Sequence, residues 1–167
     1  MKKRPRAIVQ SVLAMIFLVG LDQISKIWIV NHFHLYERKE IIAGFFDLTY
    51  LENTGAGFSI FEGYGKVFFA TLTIVAFVFI VYMFWNSTSR FTDWMLTIIM
   101  AGAIGNFIDR MFLGYVRDFL SFCIFGWDFP VFNIADICIS VGFGLLLIYY
   151  VVEEYRENQK WKKKSLL

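Results

Sequence analysis

Two aspartates in the second half of the chain, Asp118 and Asp136, have a setting in which carboxylates can do chemistry. Each lies in or just beyond a long apolar run, and a bilayer-buried acid costs about 2.5–3.5 kcal/mol or more. When two carboxylates share a site, one tends to keep its proton. The charged one can then draw a proton from water while the protonated one donates to a carbonyl, which is aspartic-peptidase chemistry.

The spacing of these acids alone leaves other functions open. Two acids at one membrane face are as typical of an ion pathway or proton relay as of hydrolysis. They could equally be ion-pair partners of Arg110 and Arg117, and a structural or accessory membrane protein is a further possibility. The sequence contains no HExxH or GxSxG motif, and no Ser-His or Cys-His pair has a persuasive setting.

The composition places the chain among integral membrane proteins. Of its 167 residues, 58% are hydrophobic and only 18% are charged, against about 45–50% and about 25% in soluble domains. Spanning a bilayer takes about 20 apolar residues, so the sequence predicts an all-α membrane protein with four transmembrane helices. We expect them in a single domain, residues 1–167, at about 7–30, 67–85, 94–113 and 131–152.

The segment between the first two spans is predicted to form a small extracytoplasmic β-sheet over about residues 37–62. Phe46, Leu48 and Tyr50 alternate with polar residues, a period-2 pattern that indicates a strand. Residues 58–61 are expected to form a second strand. The segment that joins spans three and four, 109–130, is expected to be a loop on the same side of the membrane.

Basic residues concentrate in both tails, and lysine and arginine favour the cytoplasmic side. Both termini are therefore expected in the cytoplasm, with Asp118 and Asp136 near the outer face. The basic start and the apolar run after it resemble a signal peptide. No A-x-A-like site follows, so we expect this segment to remain as the first span.

Two pairs of polar residues lie four apart on helix faces, Asp22 with Lys26 and Asn106 with Arg110. The first pair is either an interfacial ion pair or a snorkelling lysine, or it is a scaffold that orders polar groups beside a site. The second pair either caps and snorkels or lines a membrane pocket, where the arginine needs an anionic or carbonyl partner.

No metal, cofactor or nucleic acid is expected. Cys123 and Cys138 form no CxxC motif, and the apolar setting of Cys138 is that of a small hydrophobic residue. His32 and His34 form an H-x-H pair without further ligand residues. No basic patch interleaved with exposed aromatic residues indicates nucleic-acid binding.

Four sequence blocks in register resemble bacterial lipoprotein signal peptidase, also called signal peptidase II. The resemblance covers nearly the whole chain, and four blocks in the right order are far more specific than any one of them. Gly57 departs from the alanine that many members have there, which puts only local strand packing in doubt. The blocks are residues 22–26, 53–59, 105–110 with 114–119, and 132–136.

The resemblance implies an aspartic endopeptidase of the bacterial cytoplasmic membrane. Such enzymes remove the signal peptide from diacylglyceryl-modified prolipoproteins, cutting just before the lipidated cysteine at the outer face. By motif match, Asp118 and Asp136 are the catalytic pair, and Asp22 and Lys26 belong to the first motif and support the pocket. We expect prolipoproteins and membrane lipids as partners of a monomer. The positions that match the family's substrate-pocket lining are Asn53, Gly55, Asn106, Arg110 and Asn133.

Overall fold

A computed structural model of the protein describes residues 5–55 and 65–164, in which four long helices and one sheet occur. All four helices are long and apolar enough to cross a membrane, which confirms the predicted fold class. The predicted strand at 58–61 lies outside the described residues. In chain order the elements are α1 (Pro5–His32), β1 (Arg38–Ile42), β2 (Phe46–Asn53), α2 (Gly65–Asn86), α3 (Arg90–Phe112), β3 (Val116–Ile124), β4 (Trp127–Asp128) and α4 (Ile134–Lys164).

Helix α3 is the central element of the bundle, and α1, α2 and α4 each pack against it. The protein buries 61% of the most apolar stretch of α3, against 11% to 22% in the other three helices. Lipid can cover the apolar side chains that those helices leave exposed. Lipid cannot form hydrogen bonds with the backbone, so the backbone groups must pair within the segment. An unbroken helix is therefore the form in which these apolar runs are stable.

Small residues let α3 and α4 approach closely. A Cβ atom added to Gly102 would lie 2.3 Å from the main-chain oxygen of Ala135. One added to Gly105 would lie 2.6 Å from Oδ2 of Asp22. Glycine at both positions therefore brings the start of α4 and a polar group of α1 against the same face of α3.

The four strands form one antiparallel sheet in the order β1-β2-β3-β4. The first two strands lie between α1 and α2, as predicted. The expected loop at 109–130, however, supplies β3 and β4, so that part of the prediction is wrong. Strand β3 is buried along most of its length on both faces, and a strand of that kind lacks the alternating pattern that identifies strands in a sequence.

The register between β2 and β3 brings two predicted site residues to neighbouring positions. Leu51 lies opposite Asp118, and Asn53 lies opposite Val116. The pairing shifts between Leu48 and Leu51, which marks a bulge in β2 beside the aspartate. Bulges often re-aim side chains next to functional sites.

Candidate functional site

Asp118 lies on β3 with its carboxylate almost fully enclosed, at 2% exposure. Two amide side chains hold it. Asn53 donates from Nδ2 to Oδ2 over 2.8 Å, and Asn133 donates from Nδ2 to Oδ1 over 2.6 Å. One donor comes from the end of β2 and the other from the start of α4, so the position of this carboxylate depends on both.

Asp136 lies in the first turn of α4 and forms a reciprocal cap with Asn133. The main-chain N–H of Asp136 donates to Oδ1 of Asn133, and the main-chain N–H of Asn133 donates to Oδ2 of Asp136, at 2.9 and 3.1 Å. This is a capping box, which satisfies two N–H groups at a helix start. The second carboxylate oxygen, Oδ1, accepts from Nδ2 of Asn106 over 2.7 Å.

Asn133 therefore contacts both carboxylates, through its side chain on one and its main chain on the other. It is fully buried, and its Nδ2 also donates to Oδ1 of Asn106 over 3.1 Å. Neither Asp118 nor Asp136 lies within ion-pair distance of a basic residue in the described part of the chain. Within residues 5–55 and 65–164, Asp118 and Asp136 therefore form no ion pair with Arg110 or Arg117, and that alternative is not supported.

The environment of Asp118 favours its protonated form. Burial, and after it the neighbouring charge of Asp136, raise the pKa of Asp118 to about 7. The hydrogen bonds from Asn53 and Asn133 and the positive charge of Lys26 oppose this rise without cancelling it. A pKa raised in this way favours a carboxyl that keeps a proton to donate near neutral pH.

Both aspartates line a cavity of about 420 Å³. Its polar lining comes from β2, α3, β3 and α4, and most of its apolar lining comes from the segment before α4 and from α4 itself. A cavity with a few convergent polar groups and a large apolar wall is the usual form of a ligand site. The polar lining comprises Asn53, Asn106, Arg110, Asp118, Asp136 and Ser140, and the apolar lining comprises Val116, Phe129, Pro130, Val131, Phe132, Ile137 and Val141.

Arg110 closes the polar side of this cavity near α2. Its Nη2 donates to the main-chain oxygen of Gly55 over 3.0 Å, and its Cζ lies 4.9 Å from the centre of the Phe69 ring. Arg110 was expected to need an anionic or carbonyl partner, and the main-chain carbonyl of Gly55 is the partner found. These contacts link β2, α2 and α3 at the edge of the cavity.

Lys26 lies behind the two aspartates and is completely buried. Its Nζ contacts Oδ2 of Asp22 at 2.9 Å, Oδ2 of Asp109 at 3.4 Å and Oδ1 of Asn106 at 2.9 Å. The ion pair of Asp22 and Lys26 is therefore buried, and the lysine does not extend towards water. Asp22 additionally accepts from the main-chain N–H of Ala135 over 2.9 Å, which helps to fix the start of α4.

Three polar residues of this network were not among the predicted site residues. Arg117 donates to Asp109 from its main-chain N, Nε and Nη2, and to Oε1 of Gln23 from Nη2. Gln23 in turn donates to Asp109 and to the main-chain oxygen of Gly105. Asp109 carries a charge near the end of a predicted span and Arg117 follows that span, which was a usable signal, but the sequence did not indicate that these two residues pair with each other.

The remaining candidates have ordinary surroundings. His32 stacks on Trp28 and contacts its main-chain oxygen at 2.8 Å. Cys123 and Cys138 are both free thiols. Among the residues that the structure describes, no group of three or more His, Cys, Asp or Glu side chains is arranged to hold a metal ion.

The fold and the site together define a class, a multi-pass membrane protein with two amide-held carboxylates facing one cavity. A family model for Signal peptidase (SPase) II matches residues 14–152 of the chain. The chain therefore belongs to the signal peptidase II family, whose members are peptidases that cleave signal peptides from prolipoproteins.

Individual relatives agree with this assignment. The lipoprotein signal peptidase of Enterococcus faecalis is 44% identical over 140 residues, 82% of this chain and 84% of that protein. The one of Staphylococcus aureus is 36% identical over 152 residues, 90% and 93% of the two chains. A solved bacterial membrane enzyme structure has 36% identity and a TM-score of 0.83, covering 88% of this chain and 90% of that one.

Proposed function

We propose that this chain is an aspartic endopeptidase that cuts diacylglyceryl-modified prolipoproteins just before the lipidated cysteine. The observation that carries the proposal is the contact of Asn133 with both Asp118 and Asp136 at the wall of one cavity. In this proposal the two carboxyl groups act together on one substrate bond. Family membership makes the chain a peptidase, and the proposal concerns its catalytic type, its site residues and the form of its substrate.

In the proposed mechanism the two carboxyl groups share one proton. The ionised carboxylate draws a proton from a water molecule as its oxygen attacks the scissile carbonyl carbon, while the protonated carboxyl donates to the carbonyl oxygen. The C–N bond of the tetrahedral intermediate then breaks, and the leaving nitrogen takes a proton from the pair. The raised pKa of Asp118 supports a shared proton at neutral pH.

The other residues of the proposed site position either the carboxylates or the substrate. Asn53, Asn106 and Asn133 fix the carboxylates, and Arg110 and Gly55 form a polar edge that can order the main chain of the substrate. The apolar wall suits the substrate's hydrophobic signal segment and lipid. In this proposal lipid anchoring contributes affinity, and the two aspartates contribute the chemistry.

We also propose that the protein works in the bacterial cytoplasmic membrane with both termini in the cytoplasm. The basic tails favour that side, and four spanning helices return the chain to the side on which it began. The sheet and the two aspartates then lie at the outer face. We propose a monomer that acts on membrane-embedded prolipoproteins among bilayer lipids.

The proposal is tested by cleavage in detergent. The purified full chain is expected to cut a diacylglyceryl prolipoprotein without any ion gradient, and EDTA is expected to leave the rate unchanged. An unlipidated precursor of the same sequence serves as the control and should be cut far more slowly. Solute movement in vesicles combined with an intact prolipoprotein would instead support the transport alternative.

Cleavage is expected to fall as the pH rises above about 7. The pKa of the Asp118 carboxyl lies near that value, so alkaline pH removes the proton that the pair must donate. The loss should approach about tenfold per pH unit, and the profile reports the pair rather than either residue. Single-turnover rates from pH 5 to 9 measure this, with thermal unfolding as a check on the fold. A rate that stays constant up to pH 9 would contradict the shared proton.

Replacing Arg110 by alanine is expected to raise KM more than it lowers kcat. The change removes the hydrogen bond to Gly55 and the contact with the Phe69 ring, so the loss falls on substrate positioning. We expect a decrease in kcat/KM of about 10- to 100-fold, the effect of one lost charge-assisted hydrogen bond. Lysine at this position should recover only part of it. An unchanged rate at limiting substrate would remove Arg110 from the pocket.

A further inference from the structure

The tip of the β3–β4 hairpin combines two features that are unfavourable in water. Phe125 has φ +53° and Gly126 has φ +79°. Two-residue turns of this kind prefer Asn-Gly or Gly-Gly, and a bulky residue with positive φ is a genuine outlier. The Phe125 ring is also completely exposed. An observed outlier of this kind justifies a hypothesis of function.

Phe125 does not stand alone at this end of the sheet. Phe46 of β2 pairs with Phe122 of β3, so the β1–β2 turn and the β3–β4 turn lie at the same end. The main-chain N–H of Cys123 donates to the oxygen of Phe45 over 2.9 Å. The exposed apolar side chains of the two turns, which we call the hairpin patch, are Phe45, Ile124, Phe125 and Trp127.

The two faces of the sheet differ in polarity near this patch. Consecutive residues of a strand point to opposite faces, so Trp127 and Asp128 lie on different sides of β4. Asp128 is exposed, and its Oδ1 lies 3.9 Å from Nη2 of Arg38, which is also paired with Asp47. The charged face can therefore meet water while the other face meets lipid.

A series of contacts between aromatic rings connects the hairpin patch to the membrane-spanning part of the protein. The Trp127 ring lies 5.6 Å from Phe129, whose ring lies 5.8 Å from Phe132. Phe132 precedes α4 by two residues, and both phenylalanines line the cavity of the two aspartates. The patch is thus continuous with the apolar surface at which α4 enters the bilayer.

We propose that the hairpin patch inserts into the bilayer interface that adjoins the start of α4. Insertion removes the four exposed apolar side chains from water, and it places Trp127 at the depth that tryptophan prefers. It also explains why a phenylalanine occupies the strained position 125. Asparagine would fit the positive φ better, but it would not make the lipid contact. The inference does not depend on peptidase activity, only on the four helices spanning a membrane.

Site-directed spin labelling tests this. A nitroxide is attached at Phe125→Cys or, as a matched control on the opposite face of the hairpin, at Asp128→Cys. Cys123 and Cys138 are replaced by alanine in both. The full chain is reconstituted into phosphatidylcholine–phosphatidylglycerol vesicles, and thermal unfolding identifies variants that fold.

Insertion predicts that the label at residue 125 is accessible to oxygen and shielded from a water-soluble nickel chelate, with the reverse at residue 128. Equal nickel accessibility at the two positions would overturn the proposal. Shielding from both reagents with spin–spin broadening would also overturn it, because it indicates a second copy of the chain on the patch. A label at Phe45→Cys should become more accessible to nickel when Phe125→Asn is added, and no change there would contradict a lipid contact made by Phe125.

Discussion

Replacing either Asp118 or Asp136 by asparagine is expected to reduce cleavage of a diacylglyceryl prolipoprotein by about 10²- to 10⁴-fold, the usual contribution of a general acid or base. Asparagine has nearly the same shape but neither holds nor releases the proton that the mechanism moves. The single-turnover rate in detergent measures the effect, at equal concentrations of folded protein. Asp128→Asn, an exposed acid outside the cavity, should retain the wild-type rate.

The double variant sharpens this test. If the two carboxyl groups act as a unit, replacing both should cost little more than replacing one, because residues of one catalytic unit are not additive. Asn133 can still donate to an amide oxygen at each position, but Asn53 and Asn106 then lose their acceptors, so thermal unfolding is measured beside the rate. Near-normal cleavage by either single variant would end the assignment of a catalytic pair.

Replacing Lys26 by methionine is expected to lower the free energy of unfolding by about 3–5 kcal/mol, the usual effect of breaking a buried ion pair. The change leaves the carboxylates of Asp22 and Asp109 buried without this cation. It also removes the hydrogen bond that orients Asn106 against Asp136. Thermal unfolding in detergent and the cleavage rate together measure both losses.

The same variant should move the pH profile in a defined direction. The charge of Lys26 lowers the pKa of Asp118, so its removal raises that pKa and shifts the alkaline fall in activity to higher pH. Combining Lys26→Met with Asp22→Asn should restore part of the stability, because it also removes one unpaired carboxylate. The exposed Lys39→Met is the control. A Lys26→Met protein with wild-type stability and pH profile would contradict the role of this lysine.

The four spans could be predicted from the sequence because a long apolar run has few stable conformations in lipid other than a helix. Strand β2 was also predictable, since Phe46 and Leu48 alternate with polar residues in it, whereas no strand was predicted at β1. Strand β3 was not, because both of its faces are covered and its residues show no alternation. Asp118, the third residue of this strand, was assigned to a loop for that reason.

The site was predictable to the extent that its residues fall within sequence motifs. The motifs named Asp118, Asp136, Asn106 and Asn133, and the structure brings all four into one hydrogen-bonded cluster. The motifs did not indicate that Asn133 contacts both acids. That arrangement depends on a strand and a helix start that meet only in the folded chain.

The wall of the cavity has a pharmacological consequence. Ile137 and Val141 belong to a membrane-spanning helix, so the apolar half of the site adjoins the hydrocarbon region. If compounds reach the proposed site from the membrane, their potency should follow their partition coefficient as well as their fit. Doses compared by aqueous concentration alone would then rank such compounds in the wrong order.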